Sequence, residues 1–268
     1  MKIYFIELMD SYYLDELKKD NEIINNIEEA DIVITRNLTI DKAFIDKAVH
    51  LKCIAIHGTG ISEVDINYAK TKGIVVFNCP YQNYESVAEY SLYFALMAAR
   101  QNKMELYKKK ALVLGNGHIG KRLKDILSDG LLMDVDIYKR NDDIKDKLKD
   151  KDFVFICMSL NDSTYHFINK ETISYMKKGV ILINTARGKI VSEADIIDAL
   201  RDNHILCYLT DVFEEEPLKE DNPLIKEKNV IYSPHIASNT KEALANIGKL
   251  LVEQINDFKL GNNPKHEL

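Results

Sequence analysis

Ten residues, Ala111 to Gly120 (A-L-V-L-G-N-G-H-I-G), restrict what this chain can fold into more than any other stretch. Ala111 to Leu114 is a short apolar run that reads as a buried strand. Gly115, Gly117 and Gly120 then follow as G-x-G-x-x-G, and Ile119, Leu123, Ile126 and Leu127 recur at helical spacing. A second apolar strand is expected over 133–138. Strand, glycine turn, helix and strand make a βαβ unit, the setting that a dinucleotide-binding turn requires. The first glycine permits the tight turn, the second lets backbone approach a pyrophosphate, and the third lets helix lie close to strand. The free N–H groups and positive dipole end of the helix then face the phosphates. Gly115, Asn116, Gly117, His118, Ile119 and Gly120 are therefore the expected cofactor-binding turn.

The length of 268 residues allows two domains with sizeable cores. A net charge of −6 argues against nucleic acid or a membrane surface as a general partner. No apolar run approaches the ~20 residues of a membrane-spanning helix, and Lys2 to Leu8 is too short for a signal segment. The four cysteines, Cys53, Cys79, Cys157 and Cys207, stand far apart without a C-x-x-C pair. They read as buried free thiols of a cytoplasmic protein, with neither a disulfide framework nor a metal site expected.

Short apolar runs at 2–6, 31–35, 51–56 and 73–77 alternate with helix-permitting segments such as Asp41 to Val49 and Val64 to Lys72. Strand alternating with helix implies a parallel α/β sheet. Glu85 to Gln101 is apolar or small on several faces, as expected of a helix buried on more than one side. It reads as a bridge between domains that also reaches a second subunit. After the polar connector 102–110, strands are expected near 111–114, 133–138, 152–158, 179–184, 205–210 and 229–232. Helices are expected near 118–129, 143–149, 169–176 and 193–202, and a long amphipathic helix follows Pro234. The expected class is α/β with two doubly wound parallel-sheet domains.

Ligands of open α/β sheets bind outside the carboxyl ends of the strands. Arg187 follows I-L-I-N-T-A, Asp211 follows L-C-Y-L-T with Glu216 five residues later, and His235 follows V-I-Y-S-P. Each alone also reads as an ordinary surface group. Together they place four strand-end groups of one sheet over one crevice. Hydride reduction of a 2-keto acid needs such a set. An arginine fork binds the carboxylate and polarises the carbonyl. A histidine protonates the developing alkoxide. A carboxylate beside the histidine favours the imidazolium and fixes its orientation. Arg187, His235 and Glu216 supply these in turn; Glu216 is preferred over Glu214 and Glu215 because Pro217 restricts its backbone.

At these residues the chain resembles the D-isomer-specific 2-hydroxyacid dehydrogenases, among them D-3-phosphoglycerate dehydrogenases and glyoxylate/hydroxypyruvate reductases. The resemblance runs through about residues 31–260. It is carried by H-G-T-G-I-S-E-V-D (57–65), N-C-P-Y-Q-N-Y-E-S-V-A-E (78–89), G-N-G-H-I-G (115–120), I-N-T-A-R-G (183–188), D-V-F-E-E-E-P (211–217) and S-P-H-I-A (233–237). It implies catalytic roles for Arg187, Glu216 and His235, and a contact from Asp211 to the nicotinamide carboxamide, with Thr185 and Ala186 also at the cofactor. It implies backbone donors near Thr59 and Gly60 for the substrate carboxylate, and Arg187 and His235 against the substrate. It also implies an active site between a smaller flavodoxin-like substrate-binding domain (1–82 with 238–268) and a Rossmann-type cofactor domain (83–237).

Three features depart from the family pattern. The second strand of the βαβ unit ends Tyr138-Lys139-Arg140, where NAD-using relatives have tyrosine-aspartate. An acidic residue there bonds the ribose 2′-hydroxyl, whereas a cation accommodates a 2′-phosphate. Lys139 lies nineteen residues past Gly120, so an NADP preference is expected, with Asp136 or Asp142 holding the ribose as the alternative. The connector into Ala111 is shorter than in many relatives, so a homodimer is expected but its geometry is open. Nothing follows the last helix, so feedback control through an appended domain is not expected. Arg36, in T-R-N-L-T, is a candidate for a distal phosphate or carboxylate, with Lys52 and His57 weaker. Phosphoglycerate and glyoxylate/hydroxypyruvate chemistry stay level on this reading. A dinucleotide-sensing binding module resembling transcriptional corepressors is the alternative to an enzyme. Formate or phosphite oxidation is weaker, because formate dehydrogenases of this type have glutamine where Glu216 stands.

Overall fold

The computed structural model describes residues 1–5, 7 and 9–268. Its contacts divide the chain into two compact units, Met1–Asn83 with Asn239–Leu268, and Tyr84–Ser238.

The first unit runs β1 (Lys2–Tyr4), α1 (Ser11–Asp20), β2 (Glu22–Ile24), β3 (Ile32–Thr35), α2 (Lys42–Lys47), β4 (Cys53–Ile56), α3 (Ile66–Thr71) and β5 (Val75–Asn78). The strands pair in parallel in the order β2-β1-β3-β4-β5, the flavodoxin-like arrangement. Residue 6 of the expected first strand lies outside the described residues. β2 was not expected from the sequence: it has three residues and none of them is buried, so no apolar run announces it. Every residue of β3 and β4 is buried, as two-sided coverage of a parallel sheet requires. Ile32, Ile34, Cys53 and Ala55 face one core with Ile247, Leu251 and Ile255, while Val33, Ile54 and Ile56 face the other.

The second unit runs α4 (Tyr84–Gln101), β6 (Lys110–Leu114), α5 (His118–Asp125), β7 (Asp134–Tyr138), α6 (Ile144–Leu148), β8 (Phe153–Ile156), α7 (Lys170–Ser174), β9 (Val180–Asn184), α8 (Glu193–Arg201), β10 (Ile205–Thr210) and β11 (Val230–Tyr232). The chain then returns to the first unit in α9 (Lys241–Lys259). All six strands of the second sheet are parallel, in the order β11-β10-β9-β8-β6-β7. Its side chains alternate: Leu112 and Leu114 face one core, Ala111 and Val113 the other. The winding reverses between β6 and β8, so the crevice of this sheet opens there. β7 is the outermost strand, with no further strand beyond it as in the 3-2-1-4-5-6 order of many dinucleotide-binding sheets.

Two expected helices differ in detail. The helix after the glycine turn is α-helical only to Asp125, and 126–130 widens into a π turn. The helix expected as a bridge, α4, buries Val87, Ala88, Phe94, Ala95 and Ala98 and packs on α5, β9 and β10 of its own unit.

Candidate active site

The glycine turn sits at the crevice of the second sheet, and each glycine has its own geometric reason. Gly115 has φ +128°, and a Cβ there would lie 2.6 Å from the Cys157 carbonyl oxygen at the end of β8. A Cβ on Gly120 would fall 2.1 Å from the Gly115 carbonyl oxygen, so α5 can approach β6 only through glycine. Gly117 is the opposite case: a Cβ would meet nothing within 4 Å. It is also the N-cap of α5 and offers no capping side chain to the first helical N–H groups. Open space above a helix N-terminus that carries no side-chain cap fits a diphosphate. Asn116 and His118 are exposed in this turn, with the His118 ring 5.9 Å from that of Tyr84, and Ile119 is half-buried.

Beyond β7, Lys139 and Arg140 are exposed. The Lys139 N–H donates to Asp142 Oδ2 at 2.9 Å, and Asp136 holds the buried Lys151 ammonium at 2.7 Å. Both carboxylates offered as ribose partners are thus already engaged. An open pocket of about 570 Å³ lies here, lined by Asn116, Lys121, Lys139, Asp142 and neighbours.

At the end of β9 the T-A-R-G turn is folded by Asn184. Its Oδ1 accepts from Ala186 N–H at 3.0 Å and its amide donates to the Arg187 carbonyl at 3.1 Å. Thr185 is buried, with its hydroxyl 2.8 Å from that of Ser91 on α4. Arg187 Nη1 donates to the Ala186 carbonyl at 2.8 Å. The glycine after it is compulsory: a Cβ on Gly188 would sit 1.9 Å from the Phe213 carbonyl carbon and oxygen. The turn after β9 is therefore pressed directly onto the loop after β10.

That loop carries Glu216. Its Oε1 accepts from Phe213 N–H at 3.1 Å and its Oε2 lies 2.6 Å from His235 Nδ1. Burial alone would raise the Glu216 carboxyl. The His235 hydrogen bond and charge, the Phe213 N–H and the Arg187 charge outweigh burial and hold it below the usual value. An ionised carboxylate has only acceptors, so the shared proton belongs to Nδ1, and Nε2 becomes the working face of the ring. The two side chains keep 21% and 26% exposure, which leaves that face reachable. Arg187, Glu216 and His235 therefore form one electrostatic group at the carboxyl ends of β9, β10 and β11.

Asp211 is 1% exposed. Its Oδ1 accepts from Ser233 Oγ at 2.6 Å and Ile236 N–H at 2.8 Å, and its Oδ2 from Ala237 N–H at 2.8 Å. Burial raises its carboxyl despite those donors. Sequence reasoning did not see these contacts, because backbone N–H partners leave no residue-type signal.

In the first unit, the 57–60 loop is held through its carbonyls. Gly58 accepts from Cys79 N–H at 2.9 Å and Thr59 from Asn78 Nδ2 at 2.9 Å, while the Thr59 hydroxyl reaches Asn83 at 3.2 Å. Thr59 is exposed and Gly60 half-buried. Arg36 is half-buried; its guanidinium donates to Asn239 Oδ1 and its backbone N–H to Glu7. Lys52 is taken up by Asp31 at 2.8 Å. His57 is 1% exposed with neither ring nitrogen hydrogen-bonded among the described residues, and burial, with Arg36 nearby, pushes it down to about 4. The cysteines are free; Cys53, Cys79 and Cys207 are buried, whereas Cys157 is half-buried beside the glycine turn. Among the described residues no His, Cys, Asp or Glu cluster could hold a metal ion, and no helix is long and apolar enough to cross a membrane.

A sequence model described as "D-isomer specific 2-hydroxyacid dehydrogenase, NAD binding domain" matches residues 95–237. The chain is 35% identical over 266 residues to a D-3-phosphoglycerate dehydrogenase of Methanocaldococcus jannaschii, covering 87% of this chain and 51% of the relative. It is 32% identical over 271 residues to a hydroxypyruvate reductase of Thermotoga maritima, covering 90% of this chain and 88% of the relative. A solved structure of a D-lactate dehydrogenase from Aquifex aeolicus, complexed with NAD and lactic acid, matches with a TM-score of 0.85 at 27% identity. That match covers 97% of this chain and 96% of the other. The chain spans 51% and 58% of the length of the Methanocaldococcus jannaschii and Archaeoglobus fulgidus phosphoglycerate dehydrogenases it matches.

Proposed function

The chain belongs to the D-isomer-specific 2-hydroxyacid dehydrogenase family, and from that premise we propose that it interconverts a small 2-keto acid and its D-2-hydroxy acid. The observation that carries this reading is the 2.6 Å contact of His235 Nδ1 with Glu216, under the charge of Arg187, on a sheet whose crevice holds the glycine turn. A bound nicotinamide supplies the hydride for reduction or takes it for oxidation. Arg187 binds the substrate carboxylate and polarises the carbonyl. His235 holds at Nε2 the proton that the carbonyl oxygen takes in reduction and returns in oxidation. Glu216 stabilises the imidazolium and keeps Nε2 turned to the substrate. The Thr59 and Gly60 N–H groups supply further donors to the substrate carboxylate. Residues 1–83 with 239–268 are assigned to substrate binding.

Gly117 and the first N–H groups of α5 would hold the cofactor's diphosphate, with Thr185 and Ala186 nearer the nicotinamide. NADP is the preferred form in this reading. Lys139 opens the turn after β7, and the acidic alternatives Asp136 and Asp142 are committed to Lys151 and to the Lys139 N–H. Arg36 is assigned to the distal group of the substrate, with 3-phosphoglycerate/3-phosphohydroxypyruvate and glyoxylate/hydroxypyruvate chemistry level as candidates. A homodimer is supported by the apolar surface of the second unit, where Leu96, Tyr107 and Leu132 are 38–60% exposed around an apolar pocket of about 360 Å³. The free thiols favour a reducing, cytoplasmic setting.

The test is a panel of 2-keto acids, including glyoxylate, hydroxypyruvate and 3-phosphohydroxypyruvate, assayed with NADPH and NADH by absorbance. At least one acid is reduced, faster with NADPH, and His235→Ala abolishes that rate. A His235→Ala variant as fast as wild type on every acid overturns the proposal.

A further inference from the structure

The His235 backbone adopts a conformation that a non-glycine residue does not enter readily. Its φ is +54°, in the left-handed region that a non-glycine residue enters at a cost. Something must hold it there, and the contacts converge on Asp211. The Asp211 carbonyl accepts from the His235 N–H itself at 2.8 Å. One carboxylate oxygen accepts from the Ser233 hydroxyl at 2.6 Å and the Ile236 N–H at 2.8 Å, and the other from the Ala237 N–H at 2.8 Å. Donors therefore come from both sides of the histidine and from the histidine itself. The Asp211 N–H in turn donates at 3.0 Å to the carbonyl of Asn184, whose side chain folds the Arg187 turn. The Ala237 carbonyl also accepts from Ser86 Oγ at 2.6 Å, so α4 buttresses the same turn.

We propose that Asp211 is a positioning residue for His235: its carboxylate gathers the 233–237 turn so that the imidazole is presented to Glu216. This role is distinct from the nicotinamide contact that family resemblance assigns to the same side chain, and it rests on the dehydrogenase reading for its consequence in catalysis. The physical reason is the number of donors. Three of them converge on one buried carboxylate, which orders the turn as a carboxylate cap orders a helix start. An amide in the same place presents N–H to N–H on one side and cannot make the set.

The test compares wild type with Asp211→Asn and Ser233→Ala in the full-length chain. Three quantities are read: kcat and KM for reduction, the dissociation constant for NADPH by fluorescence, and the downfield imidazole N–H resonance of the His235–Glu216 hydrogen bond in the free protein. For Asp211→Asn, kcat falls about 100-fold, as a displaced proton donor requires. The resonance is lost while NADPH binding changes less than about threefold. Weakened NADPH binding with kcat and the resonance preserved overturns the proposal and leaves the carboxamide role. If Asp211→Asn does not fold, Ser233→Ala decides, since it removes one donor and keeps the charge. A several-fold lower kcat with a shifted resonance supports the positioning role, and both unchanged overturns it. The resonance needs no substrate. Its loss in Asp211→Asn, in a protein that reduces no 2-keto acid, would sink the dehydrogenase reading and keep the positioning one.

Discussion

Nδ1 of His235 stands 2.6 Å from Oε2 of Glu216, a pair separated by nineteen residues of chain and brought together by adjacent strands β10 and β11. Burial opposes the carboxylate, yet the histidine, the Phe213 N–H and Arg187 hold the Glu216 carboxyl below its usual value. A carboxyl lowered on folding stabilises the fold above its unfolded value, and that contribution is lost as pH falls through the folded one. Glu216 is therefore expected to stay ionised through neutral pH and to lose its grip on His235 only below the ordinary carboxylate range. Glu216→Gln should lower kcat for reduction roughly 10³-fold with a small change in KM. The acid limb of the wild-type kcat/KM profile should be absent in that variant. Steady-state rates of both proteins across pH check this.

The three glycines of the turn should separate stability from binding. Gly120→Ala places a Cβ 2.1 Å from the Gly115 carbonyl and should destabilise the second unit by about 3 kcal/mol. Gly117→Ala meets nothing within 4 Å, so its stability should stay within about 0.5 kcal/mol of wild type. Its Cβ occupies the space above the α5 donors, and nicotinamide cofactor affinity should fall about tenfold or more. Urea unfolding and cofactor titration of the two variants distinguish the effects.

Coenzyme choice should turn on one side chain. On the proposed reading, Lys139→Asp replaces a cation assigned to the 2′ group with a carboxylate that can accept from a ribose hydroxyl. The NADPH/NADH ratio of kcat/KM is expected to fall about 100-fold, a change of the size that one charge-assisted bond and its reversal supply. A ratio unchanged by the substitution would remove Lys139 from coenzyme recognition.

Much of this was legible in the residues. The alternation of apolar runs and helical segments placed the fully buried strands β3, β4, β8 and β9, because a parallel sheet covered on both faces must be apolar throughout. Arg187, Glu216 and His235 were legible as polar groups at strand ends. What stayed hidden depended on backbone. β2 borrows its order from pairing with β1 and shows no buried residue. The position of β7 at the sheet edge follows from the crossover to β8, which composition does not encode. The contacts around Asp211 are made largely with N–H groups, which every residue but proline carries.

His57 should make the protein acid-sensitive. It is buried with neither ring nitrogen hydrogen-bonded among the described residues, and burial pushes it down to about 4, so the folded state keeps it neutral. Between that value and the ordinary 6.5 the unfolded chain binds the extra proton, so stability rises with pH across this window and is lost as pH falls. The loss attributable to His57 between pH 7 and pH 5 should be about 2 kcal/mol. A His57→Leu variant should show a correspondingly shallower pH dependence in urea unfolding, and an equal slope in both proteins would refute the assignment.

The last long helix, α9, is a structural member of the unit that opens the chain: Ile247, Leu251 and Ile255 fill the core beside Ile3, Ile32 and Phe77, and Gln254 donates to the Asn78 carbonyl at 2.9 Å. On the ribosome, the tract 84–238 emerges whole and can close its own sheet during elongation. The opening segment cannot do so, because one layer of its interior is translated only after the whole of 84–238. Residues 1–83 thus wait for partners made only after the entire second unit, and until then they depend on whatever shields nascent apolar surface.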